Sequence, residues 1–460
     1  MGLFSCMSEQ RELLVYGLIG LFIINKLVVY SKLRQFGGPR WTGFSDWPHS
    51  WAMLQDRCHK LYEQANLKHG PIARVAPNIL ITSSPELWIQ VNNKPGYKRS
   101  DWYYNACRIE YRRDNVFSQT DNQKHEQRRK QMAPGYSGRE NPHLETSVDE
   151  RVQEFVNLIR NKYLSSETQV IPMDLAQKVQ YLTLDVISGI GFGKTFGMVK
   201  NDSDVDEYLK SSEEGLAIGN IALALGFSWL AHAPVIGKFI APSPKDSYRA
   251  VDERAANPTD QRSDMLASFI RHGISGDDLR SEALEQLIAG ADTTSTGIRG
   301  ALLYIMTNPR VYQKLQREVD DAILEGKAPG PGKGIITLTQ AKQLPYLQAV
   351  IREALRLWPP AVNIFSRDTP PGGDTVTVNG ESIFLPGGVS IGYSAYGMHH
   401  SKEVYGKDAK VFRPERWLRS DPDKLAAMLR TNELVFGHGR FQCLGRPVAH
   451  LELGKTIFEV

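Results

Sequence analysis

The feature that most constrains this chain is a glycine-rich segment around one cysteine, FGHGRFQCLGRP at positions 436–447. Gly437, Gly439 and Gly445 let the backbone turn tightly and approach a flat ligand closely. The final proline suits the first turn of a helix, so Cys443 is predicted just before a helix N-terminus, which favours a thiolate. A thiolate on such a loop is a metal ligand or a nucleophile. The alternative is an ordinary buried cysteine in a turn.

A long helix is predicted from about Leu279 to Thr307, because apolar residues recur there with helical period. Its centre is A-G-A-D-T-T at 289–294, and these small residues leave room for a flat group against the helix. We expect the Thr293 hydroxyl to bond back to the carbonyl four residues earlier and to bend the helix. Asp292 adds an acid beside that hydroxyl, a combination suited to proton delivery. Taken alone, this aspartate is typical of an exposed helix charge.

Two pairs of charged residues are spaced to share a helix face. Glu353 and Arg356 are three residues apart, and His125 and Arg129 are four apart. Considered alone, the first pair is a commonplace surface ion pair of little energetic value. The second pair is equally compatible with a solvated charged face.

Four motifs together resemble the cytochrome P450 family: A-G-A-D-T-T, E-x-x-R, P-E-R-W and F-x-x-G-x-x-x-C-x-G, which follow one another over residues 289–445. The cysteine loop looks most like that of fungal microsomal members, such as the pisatin demethylase-like group of secondary metabolism. The resemblance implies a mainly α fold with small β-sheets. It also implies heme b, iron protoporphyrin IX, with Cys443 as the axial thiolate.

The resemblance further implies roles for individual residues. Asp292 and Thr293 would manage protons during catalysis, and a buried structural triad would consist of Glu353, Arg356 and Arg416. The residues expected to hold the haem are His125, Arg129, Arg367, Arg440, Gly439 and Gly445. One position departs from the family pattern: the usual basic residue two positions before the cysteine is Phe441, and Arg440 is less well placed to reach a propionate.

The N-terminal region predicts a membrane anchor. The segment from Leu13 to Tyr30 is apolar apart from Asn25 and Lys26, and is near the lower length limit for a span. Basic residues follow it, so the positive-inside rule puts its C-terminal side in the cytoplasm. An interfacial or buried helix is the alternative. We therefore predict an anchor and linker over residues 1–35. The resemblance implies a haem-thiolate catalytic domain over 36–460, anchored in the endoplasmic reticulum membrane.

The net charge and the cysteines indicate which classes of binding partner and which compartment suit this chain. A net charge of +4 is too weak to indicate nucleic acid, and is compatible with an acidic protein partner or an anionic membrane surface. The four cysteines show no C-x-x-C spacing and no disulfide framework, which favours a reducing compartment. The resemblance implies NADPH-cytochrome P450 reductase as electron donor, cytochrome b5 as an optional second donor, and a lipophilic small-molecule substrate.

The predicted function is a monooxygenase that inserts one oxygen atom from O2 into that substrate. Because family members continue beyond the position that corresponds to Val460, the resemblance also predicts a truncated C-terminus that lacks the usual last strands. Two alternatives remain open: a haem-binding but catalytically impaired protein, and a reductase-independent haem-thiolate isomerase or dehydratase. The intact acid–alcohol pair favours oxygen activation.

Overall fold

The computed structural model of the chain describes residues 2–233, 235–237, 251–252, 256, 263–419 and 421–460, with side chains from residue 13 onward. Helices dominate and the sheets are small, which confirms the predicted fold class. Numbered along the described chain, the helices are α1 Gly2–Lys32, α2 Trp47–Leu54, α3 Cys58–His69, α4 Pro85–Asn93, α5 Asp101–Cys107, α6 Asn122–Tyr136, α7 Leu144–Leu158, α8 Leu175–Phe192, α9 Met198–Asn201, α10 Tyr208–Ala224, α11 Ser228–His232, α12 Met265–Arg271, α13 Gly276–Thr307, α14 Pro309–Leu324, α15 Leu338–Lys342, α16 Pro345–Leu357, α17 Ala395–His399, α18 Lys402–Tyr405, α19 Pro422–Glu433 and α20 Arg446–Glu459.

The β-structure is confined to seven short strands. They are β1 Ile72–Ala76, β2 Ile79–Thr82, β3 Lys98–Arg99, β4 Arg367–Asp368, β5 Asp374–Val378, β6 Glu381–Leu385 and β7 Ser390–Tyr393. Five of them form one sheet in the order β1-β2-β7-β4-β3, and β5 and β6 form a hairpin. β1 and β2 are antiparallel, whereas β2 and β7 are parallel, as a long connection between paired strands allows.

The chain forms two compact units. The first comprises residues 1–98 and 363–397, and the second comprises residues 99–362 and 398–460. The strands belong to the first unit, except that the boundary falls within β3. The motif residues around Cys443 and along α13 all belong to the second unit, which is helical.

The first helix of the first unit is the predicted anchor. Its segment Leu13–Lys32 has a mean hydropathy of 2.1 and no buried residues, and among the described helices it is long and apolar enough to cross a membrane. Arg74 of β1 secures the end of this helix. Its guanidinium donates to the carbonyl oxygens of Tyr30 and Val29, each at 3.1 Å, and to that of Pro77 at 2.6 Å. A buried arginine thus satisfies carbonyls that a helix C-terminus leaves unpaired.

The second unit is built around α13, which packs against α8, α16 and α20. Close packing depends on a glycine at the centre of the A-G-A-D-T-T motif. A Cβ on Gly290 would lie 2.8 Å from side-chain carbons of Ile187, so α8 can approach only because this position lacks a side chain. α8 itself begins at Asp174, which accepts a hydrogen bond from the Gln177 amide at 3.0 Å, and ends at Gly193 in the left-handed region.

Glu353, Arg356 and Arg416 come together inside the second unit, and none is more than 2% exposed. Arg356 Nε lies 2.9 Å from Glu353 Oε2, and Arg416 Nε lies 2.9 Å from Glu353 Oε1. The indole of Trp417 also donates to the carboxylate, at 3.0 Å, and Arg356 donates to the His399 carbonyl at 2.7 Å. The buried charges are therefore both paired and hydrogen-bonded, which is the condition for tolerating them in a core.

Replacing Glu353 with Gln should destabilise the fold strongly. Arg356 would stay buried without a counter-charge, and Arg416 would keep only Asp408, at 3.3 Å. Losing one partner of a buried pair costs about 3–5 kcal/mol. The free energy of unfolding in urea measures the loss. The matched control is Glu325→Gln, which breaks an exposed pair with Lys327 and should cost less than about 1 kcal/mol. Equal losses in the two variants would show that the triad is not a structural centre.

Candidate functional site

The loop around Cys443 is held open by its backbone. Gly437 and Gly439 have φ angles of 73° and 61°, in the left-handed region that favours glycine. The Cys443 amide donates to the Phe436 carbonyl at 2.8 Å, and α20 begins three residues after the cysteine. This brings the sulfur to the start of a helix, as the sequence predicts. A Cβ on Gly445 would lie 3.8 Å from the Cys443 sulfur, so the glycine leaves the approach to the thiol open.

Cys443 is exposed to solvent, yet many protein atoms lie close to its thiol. Burial raises the pKa of the thiol. The amides of Gly445 and Arg446 oppose this shift, as do the positive charges of Arg129 and Arg446. The donors that favour a thiolate are therefore present but do not by themselves outweigh desolvation. A metal ion bound to the sulfur would complete the charge balance.

The central part of α13 has an accessible patch within its mostly buried surroundings. Ala289 and Thr293 are exposed, whereas Ala291, Thr294 and Ser295 beside them are buried. Ala289 and Thr293 are four residues apart and so share a face. The Thr293 hydroxyl donates to the Ala289 carbonyl at 2.8 Å, the back-bond that the sequence predicts. The result is a small-residue face with one hydroxyl, suited to a flat ligand.

Asp292 is directed to a different partner from Thr293. Gln180 of α8 donates from its amide to Asp292 Oδ1 at 2.7 Å, and Arg299 donates to the Gln180 carbonyl at 2.5 Å and to the Ala176 carbonyl at 2.7 Å. Burial raises the pKa of Asp292, while the Arg299 charge and the Gln180 hydrogen bond oppose the shift. The Asp292 carboxyl group therefore has a raised pKa, and its position is fixed by Gln180, which Arg299 in turn holds in place. Gln180 and Arg299 have no local sequence signal that would have revealed this role.

The predicted pair on α6 is close to the cysteine loop. His125 is 1% exposed, and its ring centroid lies 5.2 Å from that of Phe441. Arg129 acts electrostatically on Cys443, and burial lowers the pKa of its guanidinium. Within the described part of the chain, Arg129 has no hydrogen-bond or ion-pair partner. A half-buried, unpaired guanidinium beside the thiol fits a ligand with negative charge.

A second cation at this loop, Arg99, was not predicted from the sequence. It is 4% exposed, and its guanidinium lies 5.1 Å from the ring centroid of Phe441 and 4.7 Å from that of Tyr103. It also donates to the carbonyls of Val116 and Phe117. Phe441, which stands where the family usually has a base, is therefore in contact with a base from elsewhere in the second unit.

The other two predicted arginines have different surroundings. Arg440 is half-buried on the turn Gly439–Phe441, and after Lys130 it helps to lower the pKa of Glu126. Arg367 belongs to the first unit, where it is 4% exposed and donates to the Phe365 carbonyl at 2.6 Å. The haem-binding roles of both residues remain predictions.

Two buried carboxyl groups on α13 were also missed. Glu282 accepts hydrogen bonds from Arg128 at 2.8 Å and from the Val116 amide at 3.0 Å, and burial raises its pKa to about 7. Glu285 is 9% exposed and has no hydrogen-bond or ion-pair partner among the described residues. Burial, and then the Glu282 charge, raise its pKa to about 8, against the effect of Arg99. A neutral carboxyl group is therefore its main form at neutral pH.

Taken together, the second unit offers an accessible thiol at a helix start, a helix face of small residues and an unpaired guanidinium. The positive charges of Arg129 and Arg446 act on the thiol, and Gly437 and Gly439 supply the left-handed backbone of its loop. This donor set fits a flat group that carries a metal ion and negatively charged side groups.

Comparison with known proteins agrees with that chemistry. The family described as Cytochrome P450 matches residues 42–460. Cytochrome P450 monooxygenase ABA1 of Pyricularia oryzae is 34% identical over 457 residues, which cover 94% of this chain and 87% of that protein. Cytochrome P450 monooxygenase aba1 of Botryotinia fuckeliana is 34% identical over 409 residues, with 85% and 78% covered. Cytochrome P450 monooxygenase abl1 of Leptosphaeria maculans is 30% identical over 453 residues, with 94% and 77% covered.

Glu285 should make the stability of the fold depend on pH. Its pKa of about 8 lies above its ordinary value of 4.5, so between these values the folded chain holds a proton that the unfolded chain has lost. Stability therefore falls as pH rises through this range. The side chain in Glu285→Gln is neutral at every pH. The difference between the urea midpoint of the variant and that of the native protein should therefore increase in favour of the variant from about pH 5.5 to about pH 7.5. The control, Glu325→Gln, should keep a constant difference. A constant difference for Glu285→Gln would show that Glu285 ionises normally.

Proposed function

The chain belongs to the cytochrome P450 family and is an oxidoreductase of the monooxygenase class, and we propose that it inserts one oxygen atom from O2 into a lipophilic small molecule of fungal secondary metabolism. The family binds haem through a thiolate, and we assign that ligand to Cys443. The observation that carries the assignment is the exposed Cys443, three residues before the start of α20. The fungal sources of the relatives support the metabolic setting.

The residues around Cys443 fit haem. We propose that Cys443 ligates the iron, while His125 and Arg129 interact with the haem carboxylates, supported by the unpaired and desolvated state of Arg129. In the second unit the proposed set also includes Arg440, Gly439 and Gly445, and the buried Arg99 adds a further positive charge beside the loop. For Arg367, in the first unit, a haem-binding role is proposed from its place in the sequence alone. When bound, a haem with a thiolate ligand supplies the chemistry that cleaves the O–O bond of dioxygen.

The protein's own part in the reaction is charge and proton management. The amides of Gly445 and Arg446, together with the Arg129 charge, stabilise negative charge on the Cys443 sulfur. The Thr293 hydroxyl, bonded to its own helix, can release that bond and present its proton to the accessible face. Asp292 exchanges protons from a carboxyl group whose pKa is already raised by burial.

The pair Asp292 and Thr293 supports oxygen activation over a reductase-independent isomerisation or dehydration. We propose that electrons come from NADPH-cytochrome P450 reductase, with cytochrome b5 as an optional donor. The apolar, unburied α1 supports a single-pass anchor, and we propose that it spans the endoplasmic reticulum membrane with the catalytic domain in the cytoplasm.

The purified, reduced protein should show a red-shifted Soret band of the thiolate type with carbon monoxide. Cys443→His should replace it with a band of the histidine type, because the axial ligand sets the electronic structure of the iron. Cys58→Ser is the control: this cysteine lies on α3 in the first unit and should leave the spectrum unchanged. A native spectrum without the thiolate band would remove Cys443 as the ligand.

Thr293→Ala should uncouple electron use from product formation several-fold, because the accessible face of α13 would lose its hydroxyl. Product formed per NADPH oxidised, with peroxide measured in parallel, gives the coupling. Thr293→Ser should preserve it. Thr307→Ala is a matched control, since the Thr307 hydroxyl makes the same back-bond, to Leu303 at 2.7 Å, at the end of the same helix. Unchanged coupling in Thr293→Ala would argue against a proton role.

A further inference from the structure

The accessible face of α13 continues past the proton-handling residues. Glu285, Ala289 and Thr293 are successive members of an i, i+4, i+8 series, so their side chains follow one another along one side of the helix. Ala289 and Thr293 are exposed, and Glu285, one turn before Ala289, is nine-tenths buried. Glu285 thus extends the same face by one turn beyond Ala289.

The surroundings of Glu285 set it apart from the carboxyl groups with structural roles. Glu282, three residues earlier, accepts hydrogen bonds from Arg128 and from the Val116 amide. Glu285 has neither a hydrogen bond nor an ion pair within the described residues. Its carboxyl oxygens are not among the fully buried side-chain atoms that lack a partner, so they keep some accessible surface and are open to a ligand.

Glu285 is also held in its neutral form. The charged and titratable groups that act on it are Glu282 on its own helix, Arg99 at the end of β3, Cys107 on α5 and Tyr136 on α6. Burial and Glu282 raise its pKa to about 8, against the opposing charge of Arg99. A neutral carboxyl group carries a hydrogen-bond donor, which an ionised one lacks.

We propose that Glu285 is a specificity-determining residue whose carboxyl group donates a hydrogen bond to a hydroxyl or carbonyl oxygen of the substrate. The inference rests on the proposed monooxygenase function and deepens it. The substrate class becomes a lipophilic molecule that already carries an oxygen function, rather than a plain hydrocarbon. An earlier oxidation or an oxygen-retaining synthesis must therefore supply it.

The spacing along α13 gives the substrate a length. Eight residues separate Glu285 from Thr293, which corresponds to about 12 Å of helix, or roughly two turns. A molecule held at Glu285 and oxidised near Thr293 would carry its existing oxygen about that far from the carbon that reacts. Rigid skeletons of this length should be preferred to shorter ones.

The test compares two ligands of one terpenoid skeleton, the hydrocarbon and its keto derivative. Equilibrium dialysis of the haem-loaded full-length protein gives both dissociation constants without depending on the state of the iron. The native protein should bind the ketone about tenfold more tightly, the value of one good buried hydrogen bond. Glu285→Gln retains a donor and should keep most of this ratio, whereas Glu285→Leu should reduce it to within about twofold of unity.

Two further measurements separate recognition from structure. In the native protein the ratio should fall as pH rises through about 8, whereas in Glu285→Gln it should stay flat. The surface control Glu325→Leu should keep the native ratio. The proposal is overturned if Glu285→Leu weakens both ligands equally, which is the result of a structural role, or if the native protein does not distinguish them.

Failure of this inference can be distinguished from failure of the proposed function. A normal thiolate band with carbon monoxide but no preference for the ketone removes Glu285 and leaves the monooxygenase assignment intact. An absent thiolate band with a preserved, Glu285-dependent preference removes Cys443 as the ligand and leaves the recognition site. If Glu285→Leu does not fold, the pH dependence of the native protein and the flat profile of Glu285→Gln decide the question.

Discussion

Desolvated charge in a helical core is the constraint on which the second unit depends. The buried carboxylate of Glu353 is stabilised by three donors, because two arginines and the Trp417 indole donate to it. The buried carboxylate of Glu282 has two donors, Arg128 and a backbone amide. Groups satisfied in this way hold the fold together. Buried groups that the fold leaves without a partner are different, because their cost is recovered only when something binds.

By that criterion Arg129 and Glu285 are the groups that we propose as ligand contacts. Among the described residues neither has a hydrogen-bond or ion-pair partner; Arg129 is desolvated beside the Cys443 thiol, and Glu285 is neutral on the accessible face of α13. Arg129 can stabilise an anionic group near the sulfur. Glu285 can donate a hydrogen bond to a polar atom farther along α13. A cationic end and a neutral donor end suit a site that takes a charged cofactor and an uncharged substrate.

Local patterns in the sequence predicted local geometry well. The period of α13, the back-bond from Thr293 to Ala289 and the shared face of Glu353 and Arg356 all follow from three- and four-residue spacing. Contacts between distant segments, however, could not be predicted from the sequence. Gln180 reaches Asp292 from another helix, 112 positions earlier in the chain. No short-range pattern carries that contact, because it depends on how two helices cross.

Phe441 shows how a departure from a motif can be balanced in three dimensions. A base at this position would put a cation on the cysteine loop itself. Instead the loop carries an aromatic ring, and the guanidinium of Arg99 lies 5.1 Å from its centroid, with His125 in contact on another side. A buried cation near an aromatic ring gains about 2 kcal/mol, so the ring helps to keep Arg99 in place. The positive charge is thus retained at the loop but supplied by a distant segment. The same cation opposes the raised pKa of Glu285, so Arg99 acts both on the loop that carries Cys443 and on a carboxyl group of α13.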